Sequence, residues 1–289
     1  MGNSFDHIAK KFAARQLLRK KVALEFRETH NRPRLYCDEP AIVARFASHL
    51  RQEVIDHFGA GTRFVMRGQA ENYPGMVPGL FRPPTNAIDP KLLAKGEAQF
   101  EKAIRKQVRL GRFQRPHLAA LLQHYGYRTT WLDVVDNLWT AVWFATHSME
   151  PPGKRVRHAT PRPKGSGWLY FLAADGQNTG CTAIDLRETH HGLSLRPHAQ
   201  SGWSIRASGI ALTDLNNSVV GCVEFPLGDR WAFGGHLGSS EFLFPPEGLD
   251  DTLKRLIEKR GDEIAANVET HLALPKGALG RLYMVQDKA

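Results

Sequence analysis

Four short polar clusters carry residue types able to grip a phosphorylated ligand or move a proton. The first, Arg67-Gly68-Gln69, follows the apolar run Phe64-Val65-Met66. An arginine leaving a strand beside a glycine can offer its planar fork to a diphosphate or carboxylate with little backbone obstruction. The second, His124-Tyr125-Gly126, places an imidazole and an aromatic ring at a helix end that glycine terminates. The third, Thr129-Thr130-Trp131-Leu132-Asp133, leads into an apolar helix. The fourth is Arg196-Pro197-His198-Ala199-Gln200-Ser201-Gly202-Trp203. Each residue alone has a structural explanation. His124 and Tyr125 can cap carbonyls and fill core, Asp133 can cap a helix starting near Asp136 or pair with Arg67, and Gln200 can tie two strands. Four separated segments that each bring polar groups to an element edge favour a shared site.

Other constellations fail. His190-His191 and His198 have no carboxylate at metal-ligand spacing, and no HExxH occurs, so no metal is expected. Cys37, Cys181 and Cys222 form no CxxC pair and read as reduced, mostly buried thiols. The stretch Gly234 to Ser240 lacks both a P-loop lysine and a GxGxxG pattern, and reads as a turn. Gly2 and Ser4 suggest a myristoylation signal, but Asp6 stands where a hydroxyl is required.

These clusters need elements to hold them. Residues 4–29 are expected to be a basic amphipathic helix, so residues 1–37 read as an arm and 38–289 as one domain. Asp38-Glu39-Pro40 opens a second helix, in which Ile42, Phe46, Leu50, Val54 and Phe58 recur every four residues until Gly59. Arg63 to Arg67 reads as a strand. Helices are expected over 90–110, 115–125 and 136–147, followed by a basic loop at about 150–166 that includes Lys154, Arg155 and Arg157. Later strands are expected at Trp168–Leu172, Trp203–Arg206, Val219–Phe225 and Arg281–Val285, with a helix over Leu249–Lys259 between the last two. The fold class is therefore α+β: a helix-rich N-terminal half packed on a mainly antiparallel sheet formed largely by the C-terminal half.

Bulk composition agrees with such a domain. The chain has 289 residues, 42% of them hydrophobic, and a net charge of +10 that shifts the odds towards polyanionic partners. No apolar run is long enough to span a membrane, and the amino terminus is not a secretory signal, so the expected location is cytoplasmic with no membrane partner.

In order along the chain, these motifs resemble the FRG family. Met66-Arg67-Gly68-Gln69 stands at its Phe-Arg-Gly signature, and Leu80-Phe81-Arg82-Pro83 at its following Leu-Phe-Arg segment. Gln123-His124-Tyr125-Gly126 through Asp133, then Ala141-Val142-Trp143-Phe144-Ala145, is similar to its His-Tyr-Gly, Leu-Asp and Ala-Leu-Tyr-Phe-Ala block. Ala199 to Trp203 resembles its Ala-Gln-x-Gly-Phe strand. The signature Phe is Met66 here, and Thr129-Thr130-Trp131-Leu132-Asp133-Val134-Val135 lacks an Arg and a Trp-Thr pair that the family commonly has. Arg82 or Arg128 would have to replace that Arg.

A looser similarity to ADP-ribosyltransferases implies NAD as substrate and a nucleic-acid or protein acceptor, in an antiphage or toxin setting. It implies that Arg67 clamps NAD, Tyr125 stacks on nicotinamide and His124 bonds a ribose hydroxyl. Gln200 would stand at the terminal catalytic position, and Asp133 would stabilise the cationic transition state or orient His124. Gln69, Arg82 and Thr129 are the further ligand-binding candidates. The alternative expectation is a non-catalytic module that binds nucleic acid or nucleotide, and a metal-independent nuclease using His124 and Asp133 is a third.

Overall fold

A computed structural model describes residues 24–29, 32–73, 75–108, 117–150, 155–175, 179–189, 194–208, 215–231 and 239–287. The first elements are strands β1 (Leu24–Thr29) and β2 (Arg32–Cys37), helix α1 (Pro40–Phe58) and strand β3 (Arg63–Gln69). Helices α2 (Pro90–Gln107) and α3 (Leu118–His124) follow, then β4 (Leu132–Val135), α4 (Leu138–Thr146) and β5 (His147–Met149). Next come β6 (Val156–Pro161), β7 (Ser166–Ala174) and β8 (Cys181–Asp185), with short helices α5 (Leu186–Thr189) and α6 (Leu195–Ala199). The remaining elements are β9 (Gly202–Ala207), β10 (Val219–Pro226), α7 (Ser240–Leu243), α8 (Asp251–Glu258), α9 (Gly261–His271) and β11 (Met284–Asp287).

The fold is α+β. An eight-stranded sheet runs β1-β2-β10-β7-β3-β4-β9-β8, and β5, β6 and β11 form a second, three-stranded sheet. Neighbours in the large sheet pair antiparallel except β2 with β10. Strand β7 lies near its centre and is buried on both faces, as its continuous run Trp168-Leu169-Tyr170-Phe171-Leu172 requires. Its alternate residues Leu169, Phe171 and Ala173 join Phe46, Leu50 and Val54 of α1 and Ala141, Val142 and Ala145 of α4 in one apolar layer. Trp168, Tyr170, Leu172 and Ala174 face the other layer, with Val65, Leu132, Val134 and Ile205. Burying each large apolar side chain here stabilises the fold by roughly 1.5–3 kcal/mol.

A third apolar cluster is helical. Leu93, Phe100 and Ile104 of α2, Leu121 and Leu122 of α3, Leu253 and Leu256 of α8, and Ile264 and Val268 of α9 pack together beside the sheet. A fourth, small cluster joins Trp143 of α4 to Ala159 of β6, Phe244 and Val285 of β11.

Three expectations are corrected. Residues 24–37 are not part of a helical arm but a hairpin, β1 and β2, that extends the large sheet through β10. Leu24-Glu25-Phe26-Arg27 alternates with period two, a strand signal overridden by the longer helical stripe in the sequence. Residues 4–23 lie outside the described residues. The basic segment at 150–166 is not all loop: β6 crosses it, pairing antiparallel with β5 and parallel with β11. Finally, Asp133 does not cap α4. It lies in β4, and Asn137 caps that helix by accepting from the Trp139 and Thr140 amides. Among the described residues no helix is long and apolar enough to cross a membrane.

Candidate functional site

Strands β3 and β4 share a single register pair, Met66↔Val135. The Arg67 guanidinium bridges the two strands beyond that pair. Its Nη1 donates to the Asp133 carbonyl oxygen at 2.6 Å and to the Asp133 carboxylate at 2.9 Å. The neighbouring Gly68 sits against α4 so closely that a Cβ there would lie 1.7 Å from the Ala141 carbonyl oxygen. Only glycine lets β3 and α4 approach this far, which gives the Arg-Gly pair a physical basis.

Helix α3 delivers the next groups. Gln123 Nε2 donates to the Asp133 carboxylate at 3.2 Å, and its Oε1 accepts from the Thr129 hydroxyl at 3.0 Å. His124 Nδ1 lies 3.0 Å from Gln200 Oε1. Gln200 Nε2 donates to the Leu243 carbonyl at 2.9 Å, which fixes the amide orientation. Because Oε1 can only accept, His124 carries its proton on Nδ1 and keeps a lone pair on Nε2. That Nε2 is buried with no hydrogen-bond partner of good geometry. Burial pulls the His124 pKa down, against the opposing pull of Asp133, Gln200 and the Trp203 backbone, so the ring is neutral at pH 7.

Burial would by itself raise the Asp133 carboxyl, but the guanidinium charge of Arg67, with His124 and Arg82, holds it well below the usual carboxylate range. The exposed part of its side chain, 35%, opens into a partly enclosed cavity.

That cavity, about 760 Å³ in volume, lies beside β3 and β4 where the helical layer and the three-stranded sheet meet. Arg67, Arg82, His124, Asp133 and Gln200 all line it. The remaining candidates do not. Tyr125 is fully buried, its ring packed in the helical cluster and its hydroxyl donating to both Asp250 oxygens at 2.9 and 2.8 Å. It cannot stack on a ligand, because an aromatic whose hydroxyl satisfies a buried carboxylate has a core role. Gln69 is buried against Met76 Sδ, and Thr129 reaches the site only through Gln123.

The fully buried Arg196 holds this arrangement from behind. Its guanidinium donates to the carbonyls of His124 at 2.8 Å and Tyr283 at 3.1 Å, and lies over the rings of Tyr125, Phe244 and Tyr283.

Sequence reasoning gave no site role to the far wall. Tyr127 bridges to Gly280, which draws residues 276–283 along the cavity. The wall adds Lys276, Arg281 and Tyr283 to Arg128 and Arg157. Gly126, at φ +106°, permits the close approach, since a Cβ there would meet the Arg281 carbonyl at 2.4 Å. Glu269 shapes the same wall by accepting from the Gly277 and Leu279 amides and gripping Arg281 through both oxygens. Arg128 stands in the sequence only as a substitute for a missing arginine, and Arg157 only as part of a basic loop. No local signal in the sequence brings them to one wall.

Electrostatically the cavity favours anions. Arg67 is matched by Asp133 and Arg281 by Glu269. Arg82, Arg128, Arg157 and Lys276 pair with no carboxylate among the described residues. Burial and the neighbouring Arg67 press the Arg82 guanidinium down to about 10, so it still stays charged at neutral pH.

Fold and site together define an α+β protein with a partly enclosed, arginine-lined cavity that holds an Arg-Asp pair and a neutral histidine. The FRG domain family model matches residues 47–154, the stretch that supplies Arg67, Arg82, Gln123, His124 and Asp133. Over that stretch the chain is similar to the FRG domain family. Searches of curated proteins and of solved structures find no significant match.

Proposed function

We propose that the cavity binds a nucleotide bearing a diphosphate, and that the protein is an ADP-ribosyltransferase-like enzyme with NAD as substrate. The observation that carries this reading is the set of cavity cations, Arg82, Arg128, Arg157 and Lys276, with no carboxylate partner. Keeping unpaired charges in a partly enclosed site is costly, and an anionic ligand offsets that cost. Phe144 and Met149, both half-buried on the lining, offer apolar surface for a base, a task that Tyr125 cannot perform.

In the reaction, the bond between ribose C1′ and nicotinamide N1 breaks, and its electron pair leaves with nicotinamide. The Asp133 carboxylate, kept ionised by Arg67, faces the positive charge developing at C1′. An acceptor oxygen or nitrogen then bonds to C1′ and gives up its proton to water.

The test couples binding to turnover. Calorimetric titration with ADP-ribose should show micromolar affinity, weakened at least tenfold by Arg82→Ala. Nicotinamide release from NAD, measured with protein and nucleic-acid acceptors, should be lost in Arg67→Ala. Absence of binding to ADP-ribose and to inorganic pyrophosphate at millimolar concentration overturns the whole reading. Binding without turnover of NAD by any acceptor leaves only a nucleotide-binding module.

A further inference from the structure

We propose that Arg128, Arg157 and Lys276 form a second phosphate subsite, which selects a ligand carrying a phosphate monoester in addition to its diphosphate. The inference rests on the nucleotide reading above and narrows it to a substrate class.

Its first support is spatial. Arg67 and Asp133 enter the cavity from β3 and β4, whereas Arg157 comes from β6 and Lys276 from the segment that carries Arg281, with Arg128 standing beside Arg82. Arg128 Nη1 donates to the Pro83 carbonyl at 2.9 Å, which anchors its guanidinium in place. The Arg157 guanidinium carbon lies over the Tyr283 ring, 4.0 Å from its centroid, and its buried Nε has no acceptor. Two guanidinium groups held in this way present planar donor edges suited to a phosphate.

Charge balance is the second support. A nucleoside diphosphate linkage brings two negative charges, but four cations of the cavity lack a carboxylate partner. A monoester adds about −1.5 to −2 and closes that gap. The like charges act on one another as well. Burial first, then repulsion from Arg157, lowers the Arg128 pKa, and the carboxylate of Glu269 that opposes this is already gripped by Arg281. A dianion between Arg128 and Arg157 removes the conflict. Lys276 stands exposed at the rim, on a loop that Glu269 fixes through the Gly277 amide.

The experiment compares two ligands that cannot turn over, ADP-ribose and ADP-ribose 2′-phosphate, by calorimetry on the full chain. The phosphorylated form should bind at least tenfold tighter, and Arg157→Gln should cut that advantage below threefold with an unchanged melting temperature. Should Arg157→Gln fail to fold, Lys276→Ala on the exposed loop reads the same difference and should reduce it. Equal affinities for the two ligands overturn the second subsite and leave the nucleotide reading intact. Failure of both ligands to bind removes both proposals. Tighter binding of a 5′-phosphorylated single-stranded DNA than of either ligand assigns the cations to nucleic acid and overturns this proposal.

Discussion

Gly68→Ala tests the link between backbone packing and the site most directly. The added Cβ would lie 1.7 Å from the Ala141 carbonyl oxygen, 2.7 Å from its carbonyl carbon and 3.0 Å from the Ala145 nitrogen. Ordinary contact needs about 3.5 Å, so β3 and α4 must separate by roughly 1.5–2 Å. All three obstacles are backbone atoms of a helix whose Ala141, Val142 and Ala145 side chains are buried, so no flexible group can yield. Overpacking usually costs about 1–3 kcal/mol, and a backbone obstacle on a rigid helix belongs at the upper end. A loss of about 3 kcal/mol corresponds to a fall of roughly 6–12 °C in melting temperature. Shifting β3 by that distance also breaks the 2.9 Å contact between Arg67 and Asp133, so ligand affinity should fall with stability. Urea denaturation measures the first effect and calorimetry the second. A stability loss below about 1 kcal/mol would refute the account of why glycine follows Arg67.

Two titrating groups and one buried cation give further expectations. Burial pushes Glu97 up to about 7 while its carboxylate accepts from the Thr130 amide. The native state therefore keeps a proton that the unfolded chain loses above about pH 4.3, and stability declines from there to about pH 7. Glu97→Gln, which retains an acceptor, should flatten that slope and raise stability at pH 8 by roughly 1–3 kcal/mol in urea titrations. The Asp133 carboxyl shifts the other way, so its contribution is present above the unfolded value of about 3.9 and is lost as pH falls further. Asp133→Asn should remove that part of the acid sensitivity and cost about 1–2 kcal/mol at pH 7, less than a sealed ion pair because the carboxylate faces the cavity. Arg196→Ala, which strips two backbone carbonyls and three rings of their partner, should cost roughly 3–5 kcal/mol by thermal denaturation.

Long apolar patterns were the most legible part of the sequence. Phe46, Leu50 and Val54 recur every four residues and are buried in α1, and the bounds of that helix follow from Pro40 and Gly59. The run from Trp168 to Leu172 marks β7 with no ambiguity of type. Short strands were illegible for the opposite reason. Leu132-Asp133-Val134-Val135 is too brief to show a period, and β6 runs through Val156-Arg157-His158, whose polarity reads as a loop until β5 and β11 are placed on either side. At the site, motif order found residues that β3, β4 and one helix end bring together. It misjudged Tyr125 because adjacency to His124 does not say which of two successive side chains faces the cavity. A helix turns about 100° per residue, and here the turn sends Tyr125 to Asp250. The far wall was invisible, since the bridge between Tyr127 and Gly280 is a long-range event without a local signature.

That bridge has a consequence for biogenesis. The strand holding Arg67 and the wall holding Tyr283 are separated by more than 200 residues, yet they face one ligand space. Until residue 283 emerges from the ribosome, a nascent chain lacks the wall that Lys276, Arg281 and Tyr283 supply, and Arg196 lacks the Tyr283 carbonyl. On the nucleotide reading proposed above, ligand capture would wait until translation has passed that point. Cleavage near Gly280 would loosen the same wall without touching any residue of the 47–154 stretch that the FRG domain model matches.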